Sequence, residues 1–402
     1  MFINLSVKPL RIFLLILLMI VAIFAGSLAP RRTAGAIVGP GELDIVRKDP
    51  YRVLEPIESG KLTIFPVILA NGGSKTPQWQ YITLDEGLKS GEVVVTEAGR
   101  AMGLVRPVRP GGPVPSFPQD DVNRLVLMNH SSRPLILLAG EIVTGGKQDR
   151  VIAKDRIVPA ASDPIDLSVF CIEPGRWVAS SAQFGAAGRG AESFMVQPTV
   201  RRQTMAAQDQ QSVWSAVGSA IHGMNSAVAG TSAGGPAPTV PVNTTSYAKA
   251  MLNAAVGQQV DTAGGPALGS GEQLLEKLRR QHAVGVVVAV HGEIVWADIF
   301  ANTELLEKYW TKLIRSYAAE AITSPGPHDA FANTADAQHF LDATAAGHET
   351  SEGEAGVYRY IEVQSAGTAS FVLESLLPGT GFDVHISKVR TEERRVHIMP
   401  IR

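Results

Sequence analysis

Apolar positions in the first half of the chain come in short runs with frequent interruptions. LTIFPVIL (62–69), EVVVTE (92–97), RLVLM (124–128), PLILL (134–138), EIVT (141–144), RVIA (150–153) and IDLSVF (165–170) are apolar or β-branched stretches separated by Asn, Gly, Pro and Asp. That is the spacing of antiparallel strands. Among them, Thr83-Leu84-Asp85-Glu86 has the form of a capping box and predicts a short helix that Gly91 ends. From Ala206 the period lengthens: Val213, Val217, Ile221 and Met224 recur at helical intervals with Trp214 beside them, and predict an amphipathic helix. Residues 227–271 are rich in Ala, Gly, Pro, Ser and Thr, and predict a loop interrupted by a helix over 247–256. Ser270 with Gln273 forms a second capping box, opening a helix through Leu274, Leu275 and Leu278.

Further on, VGVVVAVHGEIVWADIF (284–300) reads as strand, turn, strand. Asn302 is placed to cap a helix on which Leu306, Trp310, Leu313 and Tyr317 share one face. A Gly/Pro break at 325–327, a short helix around Phe340 and strands at 357–363, 370–376, 382–389 and 395–401 complete the pattern. The fold class expected is α+β, mainly antiparallel strands and hairpins with several amphipathic helices between them. GEIV occurs twice, at 140–143 and 292–295, and both copies are expected to be hairpins, as an ancient duplication would leave them.

With 402 residues, 45% of them hydrophobic, and a net charge of −2, the chain can bury one large core or two smaller ones. The near-neutral balance argues against nucleic-acid binding. The N-terminal segment changes the picture. Lys8 and Arg11 precede the uncharged apolar run Ile12–Ala25, which has the form of a signal-peptide core or a short membrane anchor. Residues 1–36 are therefore expected to export the chain, placing the main domain in the periplasm, outside the cell or tethered to the membrane if uncleaved. A domain over 44–323, broken by the 227–271 loop, is expected to carry a β-rich extension over 324–402. Cys171 is the single cysteine, so no disulfide forms within the chain. The histidines show no paired ligand spacing, and neither a metal nor a cofactor is expected.

Several motifs fail on context. Gly230–Gly234 fits G-x-S-x-G but lies in the low-complexity stretch, without the strand before and helix after that a nucleophile elbow needs. Gly140–Lys147 approaches a P-loop, yet its lysine is one place late and Gln148 replaces the Ser or Thr that holds magnesium. Cys171–Arg176 (CIEPGR) approaches a cysteine-phosphatase loop, but the arginine is one place early and Pro174 removes an amide donor. Two clusters survive. The first is Glu141, Lys147, Gln148, Asp149 and Arg150, where Gly145 and Gly146 can present amides to an anion while Lys147 and Arg150 supply charge. In the second, Cys171, Glu173, Arg176 and Trp177 offer a guanidinium beside an indole. The competing account makes Gly-Gly a hairpin, Lys147 and Arg150 a solvated edge, Arg176 the buried partner of Glu173 and Cys171 a small core residue.

Asn129, LAGE (138–141), GKQDR (146–150) and CIEPGRW (171–177), with Val213-Trp214 and the 300–321 stretch, together resemble the ARG and rhodanese-phosphatase-superfamily-associated protein domain family over about 44–323. That family is named for genomic association with ADP-ribosylglycohydrolases and rhodanese or phosphatase proteins. The resemblance implies handling of ADP-ribose or another phosphorylated metabolite and carries no established mechanism. The expectation is an exported protein binding a small anionic ligand through Gly145, Gly146, Lys147, Gln148, Arg150, Arg176 and Trp177. The alternatives are a hydrolase with Glu141 or Glu173 as base, Cys171 being a further catalytic candidate, and a membrane-anchored scaffold.

Overall fold

The computed structural model describes residues 51–71, 80–98, 124–176, 178, 180–189, 192–230, 243–269, 271–324, 331–343, 347–365 and 367–391. The first half is strand-rich: β1 (Tyr51–Val53), β2 (Ile57–Ser59), β3 (Leu62–Leu69), β4 (Ile82–Thr83), α1 (Leu84–Ser90), β5 (Val93–Glu97), β6 (Arg124–Asn129) and β7 (Leu135–Leu137). It continues through β8 (Ile142–Thr144), β9 (Arg150–Ile152), β10 (Arg156–Val158), β11 (Ile165–Cys171), β12 (Gly185–Ala186), β13 (Gly188–Arg189) and β14 (Glu192–Ser193). The middle is helical, with α2 (Pro198–Arg202) running into a π-turn at Gln203–Ala207, then α3 (Gln210–Gly230), α4 (Tyr247–Leu252), α5 (Ala254–Gly264), α6 (Pro266–Gly269) and α7 (Gly271–Arg280). The hairpin β15 (Gly285–Val290) and β16 (Glu293–Phe300) precedes α8 (Thr303–Thr323) and α9 (Thr334–Asp342). Strands β17 (His348–Glu354), β18 (Tyr358–Ser365), β19 (Thr368–Ser375) and β20 (Asp383–Arg390) follow.

The first and last described strands belong to one sheet of nine described strands, ordered β1-β3-β15-β16-β20-β19-β18-β17 with β2 also on β3. Its pairings are antiparallel, so the architecture is α+β. The period-2 alternation of a strand explains the uninterrupted apolar run of β15. Val286, Val288 and Val290 enter the large core beneath α3, α5 and α8, while Val287 and Ala289 enter a second core that Ala337 and Phe340 of α9 cover. Both faces are buried, so no polar position interrupts the run. A third core, holding Leu127, Leu137, Val143, Ile152 and Val169, lies between a six-stranded sheet (β12-β8-β9-β11-β6-β5) and a three-stranded one (β10-β7-β4).

Local signals read from the sequence appear as written at several points. Thr83 and Glu86 close a reciprocal capping box, and Gly91 ends α1 with φ 74°. Asn302 caps α8 through Leu305 N–H, and Leu306, Trp310, Leu313 and Tyr317 are all buried.

Two expectations change, and one strand appears where none was expected. The two GEIV copies are not equivalent. His291 and Gly292 (φ 50° and 80°) form a two-residue turn between Val290 and Glu293, a hairpin in which both central residues take positive φ. At the first copy β7 pairs with β4 and β10, whereas β8 pairs with β9 and β12, so Gly140-Glu141 is a corner between two sheets. Residues 247–269 run through α4, α5 and α6 where a loop was expected beyond 256, because Val256, Val260 and Ala263 bury against the large core. Strand β17, HETSEGE, shows no apolar alternation and is held as an edge strand by its pairing with β18. The apolar run 12–25, residues 231–234 of the G-x-S-x-G match, Ser270, the break at 325–327 and the strand expected at 395–401 lie outside the described residues, as does Trp177.

Candidate functional site

Strand register brings the two charged turns together. β9 lies between β8 and β11, with Val143 and Cys171 both opposite Arg150. Consequently the β8–β9 loop, Gly145–Asp149, and the turn following Cys171 leave the same end of the sheet. Ile172 N–H donates to Asp149 O at 3.1 Å and continues the pairing one step past the strands. The glycines are required: a Cβ on Gly145 would lie 2.5 Å from Ser181 Oγ, and one on Gly146 2.4 Å from Phe184 Cζ, both at positive φ.

Arg176 ties the turns to each other. Its Nε donates to Glu173 Oε2 at 2.6 Å, one terminal nitrogen to Gly146 O at 2.7 Å, Val178 O and Ser180 Oγ, and the other to Asp149 Oδ1 at 3.1 Å and Gly145 O. A guanidinium has five N–H donors, and these acceptors engage all of them. The same carboxylates reach α4: Ser246 Oγ donates to Asp149 Oδ2 at 2.8 Å, and Lys249 Nζ to Glu173 Oε1 at 2.8 Å. Burial raises the pKa of Asp149, with Ser246 opposing. For Glu173 burial acts in the same direction, but Lys249 and Arg176 reverse it and hold the carboxyl below its ordinary value.

The other sequence candidates occupy different surroundings. Lys147 is exposed and its backbone N–H donates to Glu97 Oε1 at 2.7 Å. Arg150 is buried, donating to Gln148 O at 2.6 Å; burial lowers its pKa while Cys171, Glu97 and Asp149 oppose. The Gln148 side-chain amide is buried with no partner at either atom among the described residues. Cys171 is buried, its backbone held by the Gln210 side chain at 2.9 and 2.8 Å, and burial raises its thiol pKa against the pull of Arg150. Glu141 sits apart from both turns, at the sheet corner. It accepts from Leu138 N–H at 2.7 Å and from the buried Lys312 Nζ at 2.6 Å, and Lys312 also pairs with Asp85.

Beside the CIEPGR turn opens a hollow of about 650 Å³. Glu173, Gly175 and Arg176 form one wall, Ile221 and His222 of α3 another, and Thr244 with Lys249 a third. Lys249 is 57% exposed at its side chain, and Glu173 takes one of its three N–H donors. Thr244 and Thr245 accept from Ser246 N–H and Gly175 N–H, so their own hydroxyl protons remain for other acceptors. Lys147, Gln148 and Arg150 do not line this hollow. Sequence reading missed Lys249 and the α3 wall. Lys249 lies within the low-complexity stretch, and of the α3 wall Val217 and Ile221 were read only as members of the apolar face, while Gly218, His222 and Asn225 were not singled out.

A second cluster escaped sequence reading altogether. Asp298 on β16 lies opposite Ser387 on β20, and His385 shares that strand face two residues away. His385 Nδ1 contacts Asp155 at 2.5 Å and its Nε2 contacts Asp298 Oδ1 at 3.0 Å. Arg201 donates to Asp298 Oδ2 at 2.9 Å and to Ser387 Oγ at 3.0 Å, its plane over Trp296, and Tyr317 donates to Asp298 as well. Asp155, Arg201, Asp298 and His385 are all at least 99% buried. Burial would lower the imidazole pKa, but Asp155 and Asp298 raise it above 6.5. Burial would raise that of Asp298, but Arg201 and His385 hold it far below the carboxylate range. The cluster is a closed ionic core with no opening to solvent.

Among the described residues no helix is long and apolar enough to cross a membrane, and no group of three or more His, Cys, Asp or Glu is arranged to hold a metal ion. No curated protein and no solved structure matches the chain. A family model does match, over residues 50–389, a span that runs from the first described strand to the last and includes both turns, the Arg176 knot and the ionic core. The chain belongs to the ARG and Rhodanese-Phosphatase-superfamily-associated Protein domain family.

Proposed function

We propose that the hollow beside the CIEPGR turn binds a small anionic, phosphate-bearing ligand, and that Lys249 is the cation that meets it. The observation carrying this reading is that Lys249 keeps unspent donors at the wall of a 650 Å³ hollow where two threonine hydroxyls are also free to donate. Arg176 supports the site from behind, since its donors are engaged by the two turns. Glu173, held below its ordinary pKa by Lys249 and Arg176, is a weak base at neutral pH, and Glu141 is sealed against Lys312. Both facts favour binding over hydrolysis by either carboxylate.

A thermal-shift panel of nucleotides, ADP-ribose and sugar phosphates tests the reading, because a ligand that binds the native state stabilises it. Lys249→Ala is expected to weaken a hit about tenfold or more, as loss of a charge-assisted hydrogen bond does. Lys147→Ala leaves the hit unchanged. Glu173→Gln tightens it, by freeing Lys249 from an internal carboxylate. A panel without hits, or hits indifferent to Lys249→Ala, sinks the proposal.

Export through the Ile12–Ala25 run is the accompanying proposal, resting on the charged residues before it and the absence of charge within it. Fractionation of cells expressing a C-terminally tagged chain is expected to find it outside the cytoplasm, and a full-length cytosolic product rejects export.

A further inference from the structure

Taking Lys249 as the anion site, we infer that the ligand carries its negative charge in the middle, as a phosphodiester or diphosphate with an organic group on each side. The inference rests on the reading above and on the shape of the space around Lys249. A second hollow of about 290 Å³ adjoins the first, and the two share Asn243, Thr244 and Lys249. Lys249 therefore lines both of two unequal lobes. The larger lobe has Val217 and Ile221 in its floor, while the smaller ends against Leu252 and Asn253. Among the described residues, the basic ones lining the larger lobe besides Lys249 are Arg176, whose donors are engaged, and His222, while the smaller lobe has Lys249 alone. A ligand with terminal charge would leave its anion away from Lys249 or one lobe unfilled.

Gly218 supplies a second observation. It lies inside α3, where glycine weakens a helix, and it lines the larger lobe. A Cβ there would meet nothing within 4 Å. Gly223 on the same helix is different, since its Cβ would come 2.8 Å from Thr323 Cβ, and α3 could not approach α8 with a side chain at that position. Packing accounts for Gly223 and not for Gly218. What the missing side chain at Gly218 does is keep the floor of the larger lobe open, as an organic group lying across Val217 and Ile221 requires.

The test is calorimetric titration of the full chain with pyrophosphate, ADP and ADP-glucose, which place zero, one and two organic groups on the same diphosphate, with UDP and UDP-glucose in parallel. Affinity is expected to rise about tenfold or more at each added group in at least one series. Gly218→Leu, filling the larger lobe, removes the gain from the nucleoside and leaves pyrophosphate binding intact. Leu252→Trp, filling the smaller lobe, removes the gain from the sugar and leaves ADP binding intact. Retained pyrophosphate binding also shows that each variant is folded. Pyrophosphate binding as tightly as the two-armed ligands overturns the two-lobed reading while sparing the anion site, as does either variant weakening all ligands alike. Failure of every ligand, pyrophosphate included, removes the anion site itself.

Discussion

Asp298→Ala is expected to cost about 3–5 kcal/mol of folding stability, the range for removing one partner of a buried ion pair and leaving the other charges uncompensated. Asp298 accepts from Arg201, His385, Ser387 and Tyr317, so its loss strands a guanidinium and an imidazolium where no water reaches them. Urea unfolding measures the effect as a fall in midpoint at unchanged slope. Arg280→Ala, which breaks an exposed pair with Glu276, serves as the contrast and is expected to change stability by less than about 0.5 kcal/mol. Equal effects at the two sites would contradict the assignment of the ionic core. The cluster also sets a pH window. The raised pKa of His385 means that its contribution is full below about 6.5 and is lost as pH rises through the raised value. The depressed pKa of Asp298 means that its contribution is present above about 3.8 and is lost only as pH falls towards the depressed value. Stability owed to the cluster is thus greatest on the mildly acidic side of neutral. His385→Gln is expected to flatten the alkaline limb of the stability profile, and an unchanged limb would assign that slope elsewhere.

Arg176→Ala is expected to cost about 2–3 kcal/mol, since it leaves the buried carboxylates of Glu173 and Asp149 and two loop carbonyls short of donors. The loss is local in origin, so hydrogen exchange should quicken at 145–149 and at 172–176 before it does in β15 or α8. Arg176→Lys should recover less than half, because an ammonium has three donors and lacks the planar fork that spans Glu173, Asp149 and the loop. Wild-type exchange at the β8–β9 loop of the alanine variant would show that the knot does not hold the two turns. This outcome also separates two roles of Arg176 that sequence alone left open. As the partner of Glu173 it orders the wall of the hollow, and Lys249 remains the group to meet an anion.

Local chemistry was legible where neighbours in the chain decide it. Thr83 and Glu86 cap a helix across three residues, Asn302 caps another, and the 284–300 run reads as strand, turn, strand. Where composition alone was the guide, tertiary packing overrode it: Ala254–Gly264 is helical because Val256 and Val260 bury. The site was half legible. Gly145, Gly146, Glu173 and Arg176 were chosen for their chemistry and are brought together, but the motif gave no sign that Arg176 would spend its donors on the neighbouring loop. Nothing in SYAKAML marks Lys249 as the residue opposite Glu173, seventy-six positions away.

By itself the sequence determined the α+β class, the capped helices, the hairpin at His291-Gly292 and the glycines of the β8–β9 loop, because helix period, strand alternation and turn geometry are properties of residues a few places apart. Tertiary structure decided that the first GEIV is a sheet corner, that the two charged turns share one end of a sheet, and that Asp155, Arg201, Asp298 and His385 form one ionic core. Hydrogen-bond partners and burial are set by strand register and helix docking. Those place residues side by side from opposite ends of the chain, and no local period records them.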